Sequence, residues 1–265
     1  MYISKKLAIL TALILSISNG FSQNSKRMQI DSLFNSLTIK KGSIVTYHLS
    51  NKEYFRYNPS MCNTGYLPAS TFKIPNSLIA LELGIVSDVN QIIKWDNIKS
   101  SNESCNSDQT LASALKNSCI WVYSEFANKI GINQYKDYIN KIDYGNKQID
   151  YGPKNRFWLE GDFKISADQQ VEFLKKFHNY ELPFSKGNID DVKKLILLRD
   201  TPNFKLSGKA GTEFISNKEV IVWFIGYVEM PNETVFFSIN FIHHEINSTS
   251  KIRGELLSKI FNIIL

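Results

Sequence analysis

A serine three residues ahead of a lysine on a helix is the smallest pairing in this sequence that could do covalent chemistry. It occurs in Pro68-Ala69-Ser70-Thr71-Phe72-Lys73. Residues i and i+3 of a helix share a face, so the amine can reach the hydroxyl. A serine alcohol is a poor nucleophile at neutral pH and needs an adjacent base. A helix N-terminus adds free N–H groups and a positive dipole end, which favour a developing oxyanion. Pro75 falls in or just after the first turn, where a missing N–H costs little. The pairing is not selective by itself. It recurs at Ser113–Lys116 and Ser248–Lys251, and any one copy taken singly reads as a solvated helix face.

The first copy is distinguished by its company. Ser118-Cys119-Ile120 opens a second predicted helix, and Lys209-Ala210-Gly211-Thr212 sits on a predicted strand. Ser-x-x-Lys, then a serine triplet, then Lys-x-Gly on a strand is the set on which penicillin-recognising serine enzymes are built. The Ser-Asp-Asn triplet and separate glutamate base of the class A version are not evident. The ordered motifs Ser70-Thr71-Phe72-Lys73, Ser118-x-Ile120, Tyr144-Gly145-Asn146, Phe157-Trp158-Leu159-Glu160-Gly161 and Lys209-x-Gly211 resemble those of class D (oxacillinase-type) serine β-lactamases. Leu182-Pro183-Phe184-Ser185 and Trp223-Phe224-Ile225-Gly226-Tyr227-Val228-Glu229 look familial too, so the resemblance spans roughly residues 41–259.

The resemblance implies roles residue by residue. Ser70 is the acylated nucleophile. Lys73, N-carboxylated by CO2 or bicarbonate, is the base in acylation and deacylation. A carbamate forms from the neutral amine, and burial lowers a lysine pKa. The Trp158 indole N–H would hold the carbamate, because a buried anion without a partner is expensive. Phe72, Ile120, Trp158 and Leu159 supply apolar walls. For Trp158 and Leu159 the plain alternative is core packing. Ser118, near Lys209, relays a proton to the leaving nitrogen. Its plain alternative is a helix N-cap. The backbone N–H groups of Ser70 and Thr212 form the oxyanion hole beside Gly211. Arg253 matches the family's substrate-carboxylate arginine, where a planar fork suits bidentate binding; its alternative is a surface charge. Tyr144-Gly145-Asn146 reads as a turn that shapes the cleft wall. Two departures stand out. Ala210 replaces the usual Thr or Ser after the lysine and removes a hydroxyl, for which Ser207 or Thr212 could compensate. Ile120 replaces the commoner valine.

The elements that must position these residues follow from periodicity. Residues 42–49 and 52–58 read as strands joined by a turn. Segments 70–83, 108–116, 119–130, 133–142, 167–178 and 189–198 read as helices, separated by Gly-, Asn- and Ser-rich loops. Segments 204–209, 219–229 and 234–243 are β-branched and aromatic, and 249–263 is a final helix. Strands at both ends with helices between them predict an α+β fold. In it, an antiparallel sheet from the N- and C-terminal strands, flanked by terminal helices, carries an inserted all-helical region. The resemblance implies the serine β-lactamase/transpeptidase-like version. The expected layout is a leader over 1–22 and a single catalytic unit over 23–265. Its sheet part covers about 23–65 and 200–265, and its helical part about 66–199.

Lys5 and Lys6 followed by the apolar run 7–17 and the exit Asn19-Gly20-Phe21-Ser22 read as a secretory signal peptide. The run is short for a membrane anchor, and no Cys at the exit supports lipid attachment. The expectation is export across the inner membrane to the periplasm, with no stable membrane insertion. The formal charge is +6, and loss of Lys5 and Lys6 takes two positive charges, leaving +4. The basic residues are scattered with no Arg-rich arm, which argues against nucleic acid as a partner. Composition is ordinary for a globular chain, 43% hydrophobic and 21% charged. Three cysteines, Cys62, Cys105 and Cys119, leave an odd thiol and an open pairing. There is no CxxC, and the adjacent His243-His244 would point to opposite faces of a strand, so no metal is expected. The partner expected is a small-molecule β-lactam, and the chain a monomer or homodimer. Rival functions are a β-lactam-sensing domain that stays acylated, a cell-wall peptidase or transpeptidase, and an inactive relative, the last because of Ala210. Sensors of that type carry membrane helices ahead of the domain, where this sequence reads as a signal peptide.

Overall fold

The computed structural model describes residues 23–244 and 246–265. The expected signal peptide over 1–22 lies outside the described residues. The chain forms two compact units, Lys41–Ile246 and a second made from the described part of Met1–Lys40 with Asn247–Leu265.

The terminal unit consists of helix α1 (23–36) and helix α9 (Ile246–Ile264). Each is amphipathic at helical spacing. Ile30, Leu33 and Phe34 are buried along the first, with Leu37 just past its end, and Leu256, Ile260 and Ile264 along the second. Arg253 stands on α9.

The larger unit is built on a six-stranded sheet in the order β2-β1-β6-β5-β4-β3. Its strands are β1 (Lys41–His48), β2 (Glu53–Tyr57), β3 (Leu197–Asp200), β4 (Lys205–Phe214), β5 (Val220–Met230) and β6 (Glu233–His243). Every pairing is antiparallel. The N-terminal strand β1 lies between β2 and the last strand β6, so the sheet closes only when the two ends of the sequence meet. Nine successive residues of β5, Val220 to Val228, are buried. A strand buried on both faces reads as a continuous apolar run rather than an alternation.

Helices fill the span between β2 and β3: α2 (Pro59–Asn63), α3 (Lys73–Glu82), α4 (Leu111–Asn117), α5 (Ile120–Ile130), α6 (Ile132–Lys141), α7 (Ala167–His178) and α8 (Lys186–Leu195). The predicted helix 167–178 coincides with α7, whose Ser166–Gln169 capping box fixes its start. Helix α7 packs on β1, β5 and β6. The α+β architecture with strands at both ends and helices inserted is therefore as the periodicity predicts.

Three predictions need correction. Segment 189–198 is not one helix. It ends at Leu195, and Leu197–Asp200 turn out as edge strand β3, paired with Lys205–Ser207. Pro202 cannot extend a helix, and Thr201 closes a tight turn with Phe204. Strand β4 runs five residues beyond 204–209, because β5 pairs with it as far as Phe214. Gly208, Ala210 and Gly211 have low strand propensity, and tertiary pairing overrides it. The predicted helix from Ser70 begins instead as a 3-10 turn, Ala69–Phe72, and becomes α-helical at Lys73.

Candidate active site

The Ser70 turn is held from two sides. The Trp158 carbonyl accepts from the Ala69 N–H at 3.0 Å, and the Trp223 indole, on the central strand β5, donates to the Leu67 carbonyl at 3.0 Å. Between these anchors Ala69 adopts φ 51°, a conformation that residues with a Cβ rarely take. Thr71 Oγ1 donates to the Pro68 carbonyl at 2.6 Å and accepts from Gln170 Nε2 at 2.9 Å. Tyr144 OH donates in turn to Gln170 Oε1 at 3.2 Å. A strained, multiply pinned turn of this kind keeps one side chain aimed at a fixed point. That side chain is Ser70, half-buried and so reachable from solvent.

Lys73 is one helical step further and almost wholly buried, at 1% exposure. Its Nζ lies 2.9 Å from Ser70 Oγ. Burial, assisted by the positive charge of Lys209 and opposed by Glu213, holds the amine well below the ordinary lysine range. The ring of Tyr123, on α5, stands 5.1 Å from Nζ. Tyr123 OH shares a 2.9 Å hydrogen bond with Ser77 Oγ, which also donates to the Lys73 carbonyl. Phe72 points into an aromatic cluster, 5.3 Å from Phe157, 5.3 Å from Phe163, 5.6 Å from Tyr144 and 5.8 Å from Trp158.

Trp158 and Leu159 are buried. Trp158 Nε1 is sealed from water and has no hydrogen-bond partner among the described residues. A buried orphan donor is rare and costly. Its presence, with a buried amine of lowered pKa, is the chemistry that a carbamate on Lys73 would satisfy.

Ser118 and Lys209 also meet: Lys209 Nζ donates to Ser118 Oγ at 3.2 Å and to the Ala210 carbonyl at 3.1 Å. Ser118 is not a helix N-cap but the C-cap of α4. It closes α4 in the left-handed region, φ 61° and ψ 40°, and Cys119 takes the N-cap position of α5. Along β4, Lys209, Gly211 and Glu213 share a face by the period of two. Gly211 is required by contact, since a Cβ there would lie 3.0 Å from the Ser70 nitrogen and 3.2 Å from Ala69 Cβ. Thr212, on the opposite parity with Ala210, is half-buried.

Ile120, expected among the apolar walls, is 44% exposed, and Tyr123 is the α5 side chain whose ring stands against the lysine amine. Ile120 begins the first turn of α5 and faces solvent, whereas Tyr123 is three residues on. Ser207 is buried beneath its cross-strand partner Tyr227, to which it hydrogen bonds. Of the two hydroxyls considered as substitutes for the one missing at Ala210, only Thr212 shares that residue's face. The Tyr144-Gly145-Asn146 turn braces the wall. Asn146 binds the Asp162 carbonyl and the Lys164 backbone, and a Cβ on Gly145 would come within 2.4 Å of the Lys164 carbonyl oxygen.

Several residues of the site escaped the sequence reading. Tyr123 belongs to no motif and lies within the segment 119–130 read only as a helix. Glu213 lies on the site face of β4. Burial raises its carboxyl pKa, and it feels Glu160, Lys73 and Arg156. The cysteine pairing, left open, is Cys105–Cys119. Cys62 is free and buried, its thiol pushed up to about 11 mainly by burial, which makes it unreactive. Among the described residues no group of three or more His, Cys, Asp or Glu is placed to hold a metal ion, and no helix is long and apolar enough to cross a membrane.

Residues 37–262 match the penicillin binding protein transpeptidase domain family. The chain is 38% identical over 205 residues to the β-lactamase OXA-15 of Pseudomonas aeruginosa, covering 76% of this chain and 71% of that protein. The solved class D β-lactamase YbXI from Nostoc superposes with a TM-score of 0.82 at 37% identity, over 88% of this chain and 96% of that one. The C-terminal domain of the Bacillus licheniformis BlaR penicillin receptor superposes with a TM-score of 0.81 at 32% identity, over 88% and 93% respectively. The chain thus belongs to the penicillin-binding transpeptidase family and, within it, to the class D serine β-lactamases.

Proposed function

We propose that this chain hydrolyses the β-lactam amide of penicillin-type antibiotics through an acyl-enzyme on Ser70, and so confers resistance to them. The observation that carries the reading is a buried lysine amine 2.9 Å from a solvent-reachable serine hydroxyl.

Ser70 Oγ attacks the lactam carbonyl carbon, and its proton passes to the Lys73 side chain. The carbonyl oxygen becomes an oxyanion facing the Ser70 and Thr212 N–H groups, which Gly211 allows to lie close together. As the C–N bond breaks, Ser118 gives its proton to the leaving nitrogen and takes back the one held by the Lys73 side chain, which returns to its basic form; Lys209 at 3.2 Å from Ser118 Oγ sets the hydroxyl's orientation and local charge. Water then attacks the ester carbonyl, gives a proton to the Lys73 side chain, and Ser70 departs with its proton restored. A carbamate formed on Lys73 by CO2 would supply an anionic oxygen base, unprotonated at neutral pH, held by Trp158 Nε1 and sheltered by Leu159. Ile120 and Thr212 line the substrate side, and Arg253 on α9 is the proposed partner of the substrate carboxylate.

The BlaR receptor domain favours a second reading, in which Ser70 is acylated and not released. The two separate on product formed per enzyme from benzylpenicillin, with and without bicarbonate. Many turnovers, enhanced by bicarbonate, are expected. One equivalent consumed, with added mass retained on Ser70, would establish the sensor instead.

A further inference from the structure

Ser118 sits in a conformation that its own backbone does not favour. It is the left-handed residue between α4 and α5, and a residue with a Cβ relaxes from that region unless its neighbours hold it. The neighbours on both sides are held by one short segment, the 3-10 turn Glu103–Cys105 with its preceding Asn102. One residue before Ser118, the Asn117 carbonyl accepts from Asn102 Nδ2 at 2.8 Å. One residue after it, Cys119 is joined to Cys105 by a disulfide. Two residues further, the Trp121 indole donates to the Cys105 carbonyl at 2.8 Å. Both half-cystines are buried, at 2% and 0% exposure.

We propose that Cys105 and Cys119, with Asn102, are positioning residues for acylation: the disulfide-bonded segment locks Ser118 in the left-handed conformation that keeps its Oγ at Lys209. This rests on Ser118 being the proton relay. With the clamp released, residues 117–119 can return to ordinary backbone geometry, and Ser118 Oγ swings off the line between Lys209 and the leaving nitrogen. Misplacement on the scale of an ångström is enough to slow a proton transfer substantially. Deacylation does not use Ser118 and is left alone.

The test is a cycle on the full mature chain, reading the rate of benzylpenicillin acylation at Ser70 by rapid quench and intact mass, which works whether or not the acyl group is later released. The disulfide is removed as Cys105→Ala with Cys119→Ala, in the parent and in the Ser118→Ala variant. The expectation is a loss of about tenfold in the parent and under about twofold where Ser118 is already gone, because contacts acting through one residue are not additive. Equal losses in both backgrounds, or no loss in a folded parent, overturn the clamp. Acylation unaffected by Ser118→Ala overturns the relay itself, a separate result. Asn102→Ala keeps the disulfide and gives a second handle should the cysteine variants fold poorly: it should reproduce part of the loss, again only when Ser118 is present, and a loss independent of Ser118 overturns the proposal.

Discussion

The same three-residue spacing occurs at Ser70–Lys73 and at Ser113–Lys116, and the structure puts the two to opposite uses. Ser113 spends its hydrogen bonds on a helix start. Its hydroxyl accepts from the Thr110 N–H at 2.9 Å and donates to Gln109 Oε1 at 2.7 Å, and its own N–H donates to Thr110 Oγ1 at 3.1 Å. Lys116 is exposed in the last turn of α4, where a cation suits the dipole. At the other copy the serine is in reach of solvent and the lysine is not, and the amine's nearest hydroxyl is the serine's. Spacing puts serine and lysine on one side of the chain in both places, but only at Ser70–Lys73 do they touch. What separates them is dehydration, because an ordinary surface lysine stays protonated at neutral pH and cannot accept a proton.

The largest difference between the copies should appear in turnover. Lys73→Ala should lower kcat for benzylpenicillin by about a thousandfold or more, the order expected when a base acting on a nucleophile is removed. Lys116→Ala should stay within about twofold. Comparable losses at both sites would break the contrast. Trp158→Phe sharpens it further, since this change deletes the indole N–H and keeps a ring packed against Phe72. At ambient CO2 its kcat should fall by about a hundredfold, the scale for losing a donor to a buried charge, and added bicarbonate should restore part of it. A loss indifferent to bicarbonate would argue against a carbamate held by Trp158.

Stability should move the other way. Burying an amine that must give up its proton disfavours the folded state, so Lys73→Met should stabilise the chain by about 1–3 kcal/mol in denaturant unfolding, while Lys116→Met changes little. The pH dependence has a definite sign. Lys73 has a folded pKa well below its ordinary value, so between the two the unfolded chain binds the extra proton and stability rises with pH. The Lys73→Met advantage should therefore shrink as pH rises toward the ordinary lysine value and vanish above it. An advantage constant with pH would mean that Lys73 folds as an ammonium.

Much of this contrast was legible in the residues. The hairpin of β5 and β6 and the helix over Ala167–His178 follow from β-branched and aromatic runs and from apolar periodicity. The pairing of Ser70 with Lys73 follows from helical spacing, and the choice of that copy over the others from motif order. What was not legible depends on contacts between distant residues. The extension of β4 through Lys209 to Phe214 is imposed by β5 on glycines and an alanine that do not favour a strand. The left-handed Ser118 is held by the Cys105–Cys119 bond, whose partners three cysteines alone do not specify. Tyr123 and Ile120 sit on one helix, and only the packing of α5 decides which faces the amine.

The central claim is that dehydration turns Lys73 into a base, and the most direct test observes that side chain itself. In protein labelled with 13C at lysine Cε, with Lys73→Met identifying the resonance, the Lys73 signal is followed against pH in CO2-free buffer and then with bicarbonate. The account predicts titration well below the ordinary lysine range and a new carbamate-shifted signal when bicarbonate is added. A Lys73 resonance that titrates with the surface lysines near about 10.4, and is unmoved by bicarbonate, would contradict it.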